Sequence, residues 1–407
     1  MLLSLLLPSY HVAGESATID GVKQLFLYDR KHTPNIIVCF IIVSSIKTLL
    51  MTKAFEEVIR NKLEVLVQTN KISQEQLSHF LRRGIQVISP KHDFGLDSLH
   101  NILPEIVIGA SKNYINKMKV PYQATSFIAA NTRKDMKGAY IFKIPNQPSG
   151  GIKLLTGGKR KKGDNVFASV HRIILGQQAI MVSAVNLMAN KDKIWNWKFF
   201  GDHFKNEDEK LYEDLIKLKN RVSGSNKTKY YIVVCRSDAT FKRLNMLEEF
   251  KNKKIAVLDP KNDMNVIFLT NIAGYEYGSK TIPESDKVDY LVTGSEFDIY
   301  HAMLELRKKY KIELILNDGG RQMSNGIRDA GLLGEERVTL EPYPGDGIIP
   351  DQLDPTSIMG LDGIGIDGKE IEKSILLSSV KINSNDYGRN AELANVYVYY
   401  LDEKKIL

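Results

Sequence analysis

Residues 312–347 read IELILNDGGRQMSNGIRDAGLLGEERVTLEPYPGDG, and this stretch decides how the second half of the chain folds. An apolar run at 312–316 meets the tripeptide Asp318-Gly319-Gly320, after which a short amphipathic helix and a second apolar strand are expected. Paired glycines between a strand and a helix let the backbone approach a phosphate, because the first amides of the helix attract negative charge. The stretch therefore predicts a nucleotide-binding turn, with an ordinary tight turn as the alternative.

Strand-like and helix-like segments alternate on both sides of this turn. Upstream, PYQATSFIAAN and AIMVSAV have the composition of buried strands, and the helix NVFASVHRIIL between them follows Asp164, which can cap it. This alternation predicts an α/β sheet with helices on its faces, extended at one edge by an antiparallel pair from the tail. Further strands are expected at 230–235, 254–258, 264–270, 288–293, 374–382 and 394–402, and helices at 206–222, 241–251 and 296–310.

The sequence divides into three regions, 1–50, 51–119 and 120–407. The first contains an apolar run at 36–46, which is too short to span a bilayer because a spanning helix takes roughly 20 residues. It is either a marginal signal anchor or, in the preferred interpretation, part of an upstream extension of a protein whose translation starts at Met51.

The second region is expected to be small and mainly helical. Residues 53–69 carry an apolar stripe at helical spacing, and Ser73 and Gln76 have the spacing of a capping box that starts a second helix. Gly84 ends that helix. Two such helices must bury their apolar faces, and docking on the main domain is the expected arrangement.

Composition excludes several classes of protein. The apolar fraction is 43% and the charged fraction 26%, which are typical of a soluble globular protein, and the formal charge is +8. No aromatic-basic motif accompanies the positive charge, so nucleic acid is not an expected partner. Cys39 and Cys235 are the only cysteines and form no CxxC motif, which excludes a disulfide framework and a cysteine-based zinc site. A reducing compartment is indicated, and the expected location is cytoplasmic.

Three segments carry a resemblance to a known family. Residues 120–131, 167–192 and 313–347 resemble the first strand, a helix-strand segment and the Glu-Gly-Gly stretch of the reductase domain of the riboflavin-biosynthesis deaminase-reductase family. The resemblance covers residues from about 120 to 402 and implies a dihydrofolate-reductase-like mixed sheet flanked by helices. It also implies NADPH as hydride donor, a ribosylaminopyrimidine 5′-phosphate as substrate and a homodimer. The His-x-Glu motif of zinc deaminases is absent from the sequence, and no metal site is expected.

The resemblance assigns a set of cofactor-binding residues. Gly319 and Gly320 take the place of the family's glycine turn against the cofactor phosphates, and Arg321 follows them. Ser183 and Asn186 occupy the first and last positions of the family's Gly-x-x-Thr turn.

It also points to residues near the substrate. Asp318 takes the place of the family's acidic residue, and Asp135 lies where the family has a turn that closes over the substrate. These two carboxylates are the catalytic candidates. Asn131 and Arg133 are the expected substrate contacts.

Two further motifs suit a phosphate. The segment GGKRKKGD at 157–164 places Lys159 and Arg160 before a helix N-terminus, so it can bind a phosphate or be an ordinary solvated loop tip. The segment LVTGSEFD places Gly294 after a strand and Ser295 at an expected helix N-cap. That cap either contacts a cofactor phosphate or has no role beyond the helix.

These observations predict an NADPH-dependent reductase of the riboflavin-biosynthesis type. The alternative is a non-catalytic relative that keeps the fold and serves as a binding or assembly subunit. Two departures from the family motivate the alternative: Ser183 replaces a glycine, and the turn after the first strand is altered.

Overall fold

The structure, a computed structural model, falls into two units, Met1–Ile59 and Arg60–Leu407. In the first unit, β1 (Tyr10–Ile19) and β2 (Val22–Asp29) form an antiparallel pair. The structure describes residues 10–19, 22–29, 57, 60–61, 63–69, 72–103, 105–130, 138–143, 162–189, 191–223, 229–252, 254–259, 261–341, 354–360, 374–382 and 392–407.

The second unit is built on one large mixed sheet. A separate short antiparallel pair, β3 with β4, lies in its N-terminal region. The strands are β3 (Gln86–Ile88), β4 (Ile106–Ile108), β5 (Tyr122–Ala130), β6 (Gly138–Lys143), β7 (Ala179–Ser183), β8 (Lys229–Val234), β9 (Met264–Thr270), β10 (Val288–Val292), β11 (Leu314–Asn317), β12 (Leu333–Glu341), β13 (Asp354–Gly360), β14 (Ser374–Ile382) and β15 (Glu392–Tyr399).

Parallel strands form the centre of this sheet, in the order β10-β9-β8-β7-β11-β5-β12. Beyond β12 the sheet continues antiparallel with β15 and β14, and β6 pairs antiparallel with β5 and β13. The predicted mixed sheet flanked by helices is confirmed, as is the antiparallel C-terminal pair at its edge.

Helices cover both faces of the sheet. Because crossovers between parallel strands are right-handed, the connections from β5 through β7, β8 and β9 to β10 lie on one face, and those from β10 through β11 to β12 lie on the other. The described helices of this unit are Gln74–Arg83, Pro90–Phe94, Asp97–Ile102, Lys112–Lys117, Lys162–Ile174, Ala184–Ala189, Trp197–Gly201, Glu209–Ser223, Asp238–Leu244, Glu248–Lys251, Ile272–Thr281, Ile299–Tyr310, Arg321–Asp329 and Glu403–Ile406.

Several expected elements differ from those observed. Residues 254–258 do not form a strand but a 3-10 turn at Ala256–Leu258, because Asp259 and Pro260 end the short apolar run. The helix expected at 241–251 is divided into Asp238–Leu244 and Glu248–Lys251. The helix Lys162–Ile174 begins two residues before Asp164, so Asp164 lies in its first turn and not at the N-cap position.

The helix Ile272–Thr281 was not expected, because its glycines lower helix propensity. These glycines serve packing. A Cβ on Gly278 would lie 2.7 Å from the ring of Phe241, and one on Gly274 would lie against the hydroxyl of Thr270.

The N-terminal region of this unit docks on the sheet through the helix Gln74–Arg83, which starts at the expected capping box. Arg83 at its end is 1% exposed. Its guanidinium donates hydrogen bonds to the carbonyls of Tyr399 and Gly334 and to the hydroxyl of Tyr122. One buried arginine therefore joins this helix to β5, β12 and β15.

The strand β12 is not purely apolar, since charged residues lie buried in its middle. The Glu335 carboxylate accepts hydrogen bonds from the Gly109 amide at 2.6 Å and the Tyr122 hydroxyl at 3.0 Å. Arg337 donates to the same carboxylate at 2.7 Å and also to the carbonyl of Val107. Because these charges are paired and hydrogen-bonded, the core tolerates them.

A buried histidine predicts how the stability of this region depends on pH. Burial, with Arg83 nearby, lowers the pKa of His79 from 6.5 to about 4, although Glu403 opposes this shift at 3.1 Å. Arg82, Tyr114 and Tyr400 also face the imidazole. Below pH 6.5 His79 is protonated in the unfolded chain but stays neutral in the folded chain. The free energy of unfolding therefore falls as the pH is lowered from 6.5 to 4.

His79→Gln is expected to flatten this dependence, measured by urea unfolding at several pH values. Glutamine can still accept the hydrogen bond that the Leu401 amide donates to the ring. The exposed His203 is the matched control, and His203→Gln should keep the wild-type slope. An unchanged slope in His79→Gln would contradict the prediction.

Candidate functional site

The two turns predicted from the sequence meet at the carboxyl edge of the parallel strands. β7 and β11 are neighbours in the sheet, but the chain leaves β7 toward β8 and leaves β11 toward β12, on opposite sides. Diverging connections of this kind open a crevice, and open α/β sheets bind their ligands in such crevices. The end of β7 with the residues that follow it, 183–186, and the residues after β11, 318–320, lie at this point.

Hydrogen bonds hold the two turns to each other. The side-chain amide of Asn186 donates to the carbonyl of Asp318, and the Asp318 amide donates to the carbonyl of Met181 at 2.7 Å. The Ser183 hydroxyl accepts from the Asn186 amide at 3.2 Å and so caps the helix Ala184–Ala189. Ser183 thus serves its own helix, while Asn186 ties the turns together.

The paired glycines are needed for different reasons. A Cβ on Gly319 would lie 1.7 Å from the terminal methyl of Met323, so packing requires this glycine. Gly320 has φ +80° and ψ 178°, a conformation that is essentially restricted to glycine, and among the described residues beyond its chain neighbours no atom lies within 4 Å of a Cβ built there. Gly320 therefore leaves open space in front of the helix Arg321–Asp329, whose first-turn amides have no partners within the helix. This opening suits an anion.

Two buried polar residues fix the shape of this turn. The side chain of Asn317 accepts from the Gly319 amide at 3.0 Å and donates to the Ser324 hydroxyl at 3.2 Å. The Ser324 hydroxyl lies 3.2 Å from the Gly320 carbonyl, to which it donates. Sequence reasoning missed both residues, although an asparagine directly before the tripeptide and a serine one helical turn after it were a readable signal.

Asp318 does not present a free carboxylate. It forms an ion pair with Arg172, which is 4% exposed. Arg172 also donates to the carbonyl of Trp195 at 2.8 Å and lies 4.1 Å from the centre of the Phe200 ring. Sequence reasoning missed Arg172 as well, because it lies in an apolar helix far from Asp318 along the chain.

A neutral phenol lies close to this ion pair. Tyr231 in β8 is 2% exposed, and burial raises its pKa well above the ordinary value of 10, with a further rise from the Asp318 carboxylate. The Tyr231 hydroxyl therefore stays protonated across the physiological pH range.

A cavity of about 180 Å³ adjoins the turn. It opens at the carboxyl end of β8, beneath the exposed side chain of Arg236, whose guanidinium carbon lies 5.8 Å from the centre of the Phe297 ring. Met323 both lines the cavity and packs against Gly319, so cavity and turn are continuous. The full lining is Val234, Arg236, Phe297, Ile299, Met323, Gly326 and Ile327.

Gly294 and Ser295 are not at this turn. They follow β10, which lies four strands from β11, or roughly 19 Å at the usual strand spacing. Ser295 does not cap the next helix: Asp298 does, by accepting from the His301 amide at 3.1 Å. The carbonyls of Gly294 and Ser295 instead accept hydrogen bonds from residues 271–272, which ties two loops together.

The remaining predicted site residues lie outside the described part of the structure. For Arg321 only the backbone is described, at the first position of the helix Arg321–Asp329. The others are Asn131, Arg133, Asp135, Lys159 and Arg160.

Within the described ranges, no group of His, Cys, Asp or Glu side chains could hold a metal ion. In the same residues, no helix has the length and apolar character needed to cross a membrane.

Comparison with known proteins finds similar solved structures. No family model matches the chain, and no curated protein matches it in sequence. RibD of Acinetobacter baumannii matches with a TM-score of 0.39 and 12% identity over 69% of this chain and 58% of that one. The riboflavin biosynthesis reductase Rib7 of Saccharomyces cerevisiae matches with a TM-score of 0.34 and 11% identity over 72% and 93%.

A third structure, a diaminohydroxyphosphoribosylaminopyrimidine deaminase/5-amino-6-(5-phosphoribosylamino)uracil reductase from Thermotoga maritima, matches with a TM-score of 0.33 and 11% identity. That match covers 69% of this chain and 57% of the other. The chain therefore spans less than two thirds of the length of the RibD and Thermotoga proteins. The yeast and Thermotoga proteins are both named as reductases.

Proposed function

We propose that this protein is an NADPH-dependent reductase of the riboflavin-biosynthesis type, acting on a ribosylaminopyrimidine 5′-phosphate. The observation that carries the proposal is the open, glycine-restricted conformation of Gly320 at the point where the connections after β7 and β11 diverge. A backbone of this shape before a helix N-terminus suits a dinucleotide phosphate.

The chain's own residues fit such a cofactor. Gly320 and the first amides of the helix Arg321–Asp329 face its phosphates, and the cavity beside Phe297 is apolar enough to take part of a planar base. The bound cofactor supplies the hydride, so the protein's task is to orient it and exclude water. Arg236 adds a positive charge at the mouth of the cavity.

The substrate is expected beside β5, which pairs with β11 and ends at the same edge of the sheet. Asn131, Arg133 and Asp135 follow β5 in the chain, and we propose them as substrate contacts, with Asp135 as the carboxylate nearest the reaction. Lys159 and Arg160 are proposed to bind the substrate's 5′-phosphate.

We further propose a cytoplasmic homodimer. Sedimentation of the purified chain at micromolar concentration tests the oligomeric state, with a single monomeric species as the contradicting result.

The proposed function is tested by adding NADPH to the purified protein and following tryptophan fluorescence. Trp195 contacts Arg172, and Arg172 pairs with Asp318. A ligand at the turn is therefore expected to change the fluorescence emission of Trp195. NADPH oxidation in the presence of the pyrimidine substrate then tests catalysis. Binding without turnover on pyrimidine, pterin and folate substrates would support the non-catalytic alternative, and no binding at millimolar NADPH would contradict the proposal.

Arg236→Ala is expected to weaken binding of NADPH but not of NADH. The lost interaction is a charge-assisted contact to the 2′-phosphate, worth about 1.5–3 kcal/mol, which raises the Kd for NADPH on the order of 10- to 100-fold. Fluorescence titration with both cofactors measures it. The matched control is Arg243→Ala, which removes an exposed arginine from the following helix, Asp238–Leu244, and should change neither Kd. An equal loss for NADH would contradict a 2′-phosphate contact.

A further inference from the structure

Arg172 joins three segments that are distant in sequence. It belongs to the helix Lys162–Ile174, pairs with Asp318 in the turn after β11, and donates to the carbonyl of Trp195 in the connection after β7. Its guanidinium also stacks on the Phe200 ring. The aromatic segment Trp195–Phe200 and the glycine turn are therefore held to one buried cation.

The backbone amide, the backbone carbonyl and one carboxylate oxygen of Asp318 are engaged by this arrangement. Its amide donates to Met181, its carbonyl accepts from Asn186, and its carboxylate pairs with Arg172. The geometry of Asp318 is that of an anchor for the turn.

We propose that Arg172 is a positioning residue. Through Asp318, it holds Gly319 and Gly320 in the conformation that receives the cofactor phosphates, and it couples this turn to the aromatic segment Trp195–Phe200. The inference rests on the proposed function and reassigns Asp318 from the substrate to the cofactor side of the site.

Lysine could not replace Arg172 in this role. The planar guanidinium pairs with Asp318, donates to Trp195 and stacks on Phe200 at once, whereas an ammonium has neither the flat face nor the forked donors. Arg172→Lys is thus a second variant that keeps the charge and removes the geometry.

The experiment compares Arg172→Lys, Arg172→Met and Asp318→Asn with the wild type. The Kd for NADPH, the KM for the pyrimidine substrate and kcat at saturating NADPH are measured for each. All three variants are expected to raise the Kd for NADPH on the order of 10- to 100-fold. Affinity falls by a similar factor at other binding sites when a residue that orients a ligand-binding residue is replaced. Both kcat at saturating NADPH and the KM for the pyrimidine should stay near wild type.

A control separates this effect from a general loss of an ion pair. Lys309 pairs with Asp289 at 2.8 Å, at the amino end of β10 and so at the other edge of the sheet. Lys309→Met should leave all three constants unchanged. An Asp318→Asn protein with unchanged Kd for NADPH and a lower kcat or higher pyrimidine KM would overturn the inference, because Asp318 would then face the substrate.

A further readout does not depend on cofactor. Trp195 and Trp197 are the only tryptophans, so Trp197→Phe leaves Trp195 as the single reporter. In that background, Arg172→Met is expected to shift the Trp195 emission and to speed hydrogen exchange at the amides of Gly319 and Gly320. If wild type fails to bind NADPH, the proposed function fails, but these two signals still test the coupling. Their absence would overturn it.

Discussion

Replacing Arg83 by methionine is expected to lower the free energy of unfolding by about 2–5 kcal/mol, because two buried carbonyls lose their hydrogen-bond donor at about 1–3 kcal/mol for each unsatisfied group. Arg83 is buried at the junction of the helix Gln74–Arg83 with the sheet, where it donates to Tyr122 and to the carbonyls of Gly334 and Tyr399. Methionine keeps most of the volume but leaves the two carbonyls without their donor. Urea unfolding followed by circular dichroism measures the loss.

The neighbouring arginine provides the control for this prediction. The side chain of Arg82 is 56% exposed and pairs with Glu403 at 2.6 Å. Arg82→Met should cost less than about 1 kcal/mol, as is usual for exposed ion pairs. Equal losses in the two variants would show that the buried network contributes nothing beyond a surface contact.

Gly320→Ala is expected to combine a loss of stability with a loss of cofactor binding. At φ +80° and ψ 178° a Cβ costs about 1–3 kcal/mol of backbone strain, although no side chain in the described part of the chain lies within 4 Å of the added methyl group. The strain is relieved only by moving the turn, which also moves the amides proposed to bind the cofactor phosphates. Thermal unfolding and NADPH titration measure the two effects.

Gly319→Ala is the matched comparison, since Gly319 is restricted by packing and not by φ. The added methyl collides with the end of Met323, a flexible side chain, so overpacking of about 1–3 kcal/mol is expected. Met323→Ala in the same protein should recover part of that loss, but no second substitution should rescue Gly320→Ala. Comparable rescue of both glycine variants by Met323→Ala would contradict the distinction between them.

Local patterns were sufficient to predict much of the fold. The alternation of β7, β8 and β9 with helices follows from apolar periodicity, and the turn at 318–320 follows from two adjacent glycines after a strand. The class of the sheet could be predicted because helix and strand periods are properties of neighbouring residues. The prediction of a strand at 254–258 was wrong for the same reason, because a short apolar run does not show whether a neighbouring strand is available to pair with it.

Contacts between distant residues could not be predicted this way. Arg172 and Asp318 are 146 positions apart, and Arg83 and Gly334 are 251 apart. The sequence suggested Asp318 as a functional carboxylate. Only the ion pair with Arg172, which the tertiary structure brings together, indicates that Asp318 holds the glycine turn in place. Likewise, nothing local distinguishes buried Glu335 and Arg337 from surface charges, because their burial depends on Tyr122 and Gly109.

The sequence by itself determined that this chain forms a mixed sheet with a glycine turn after an apolar strand, because periodicity and backbone freedom are encoded locally. The tertiary structure alone decided that this turn stands opposite Asn186, where the strand connections diverge. It also decided that Gly319 packs while Gly320 faces open space, and that Asp318 is held by Arg172. All of these contacts depend on which strands become neighbours. The order of strands in a sheet depends on packing between residues far apart in sequence, so it cannot be predicted from any short segment.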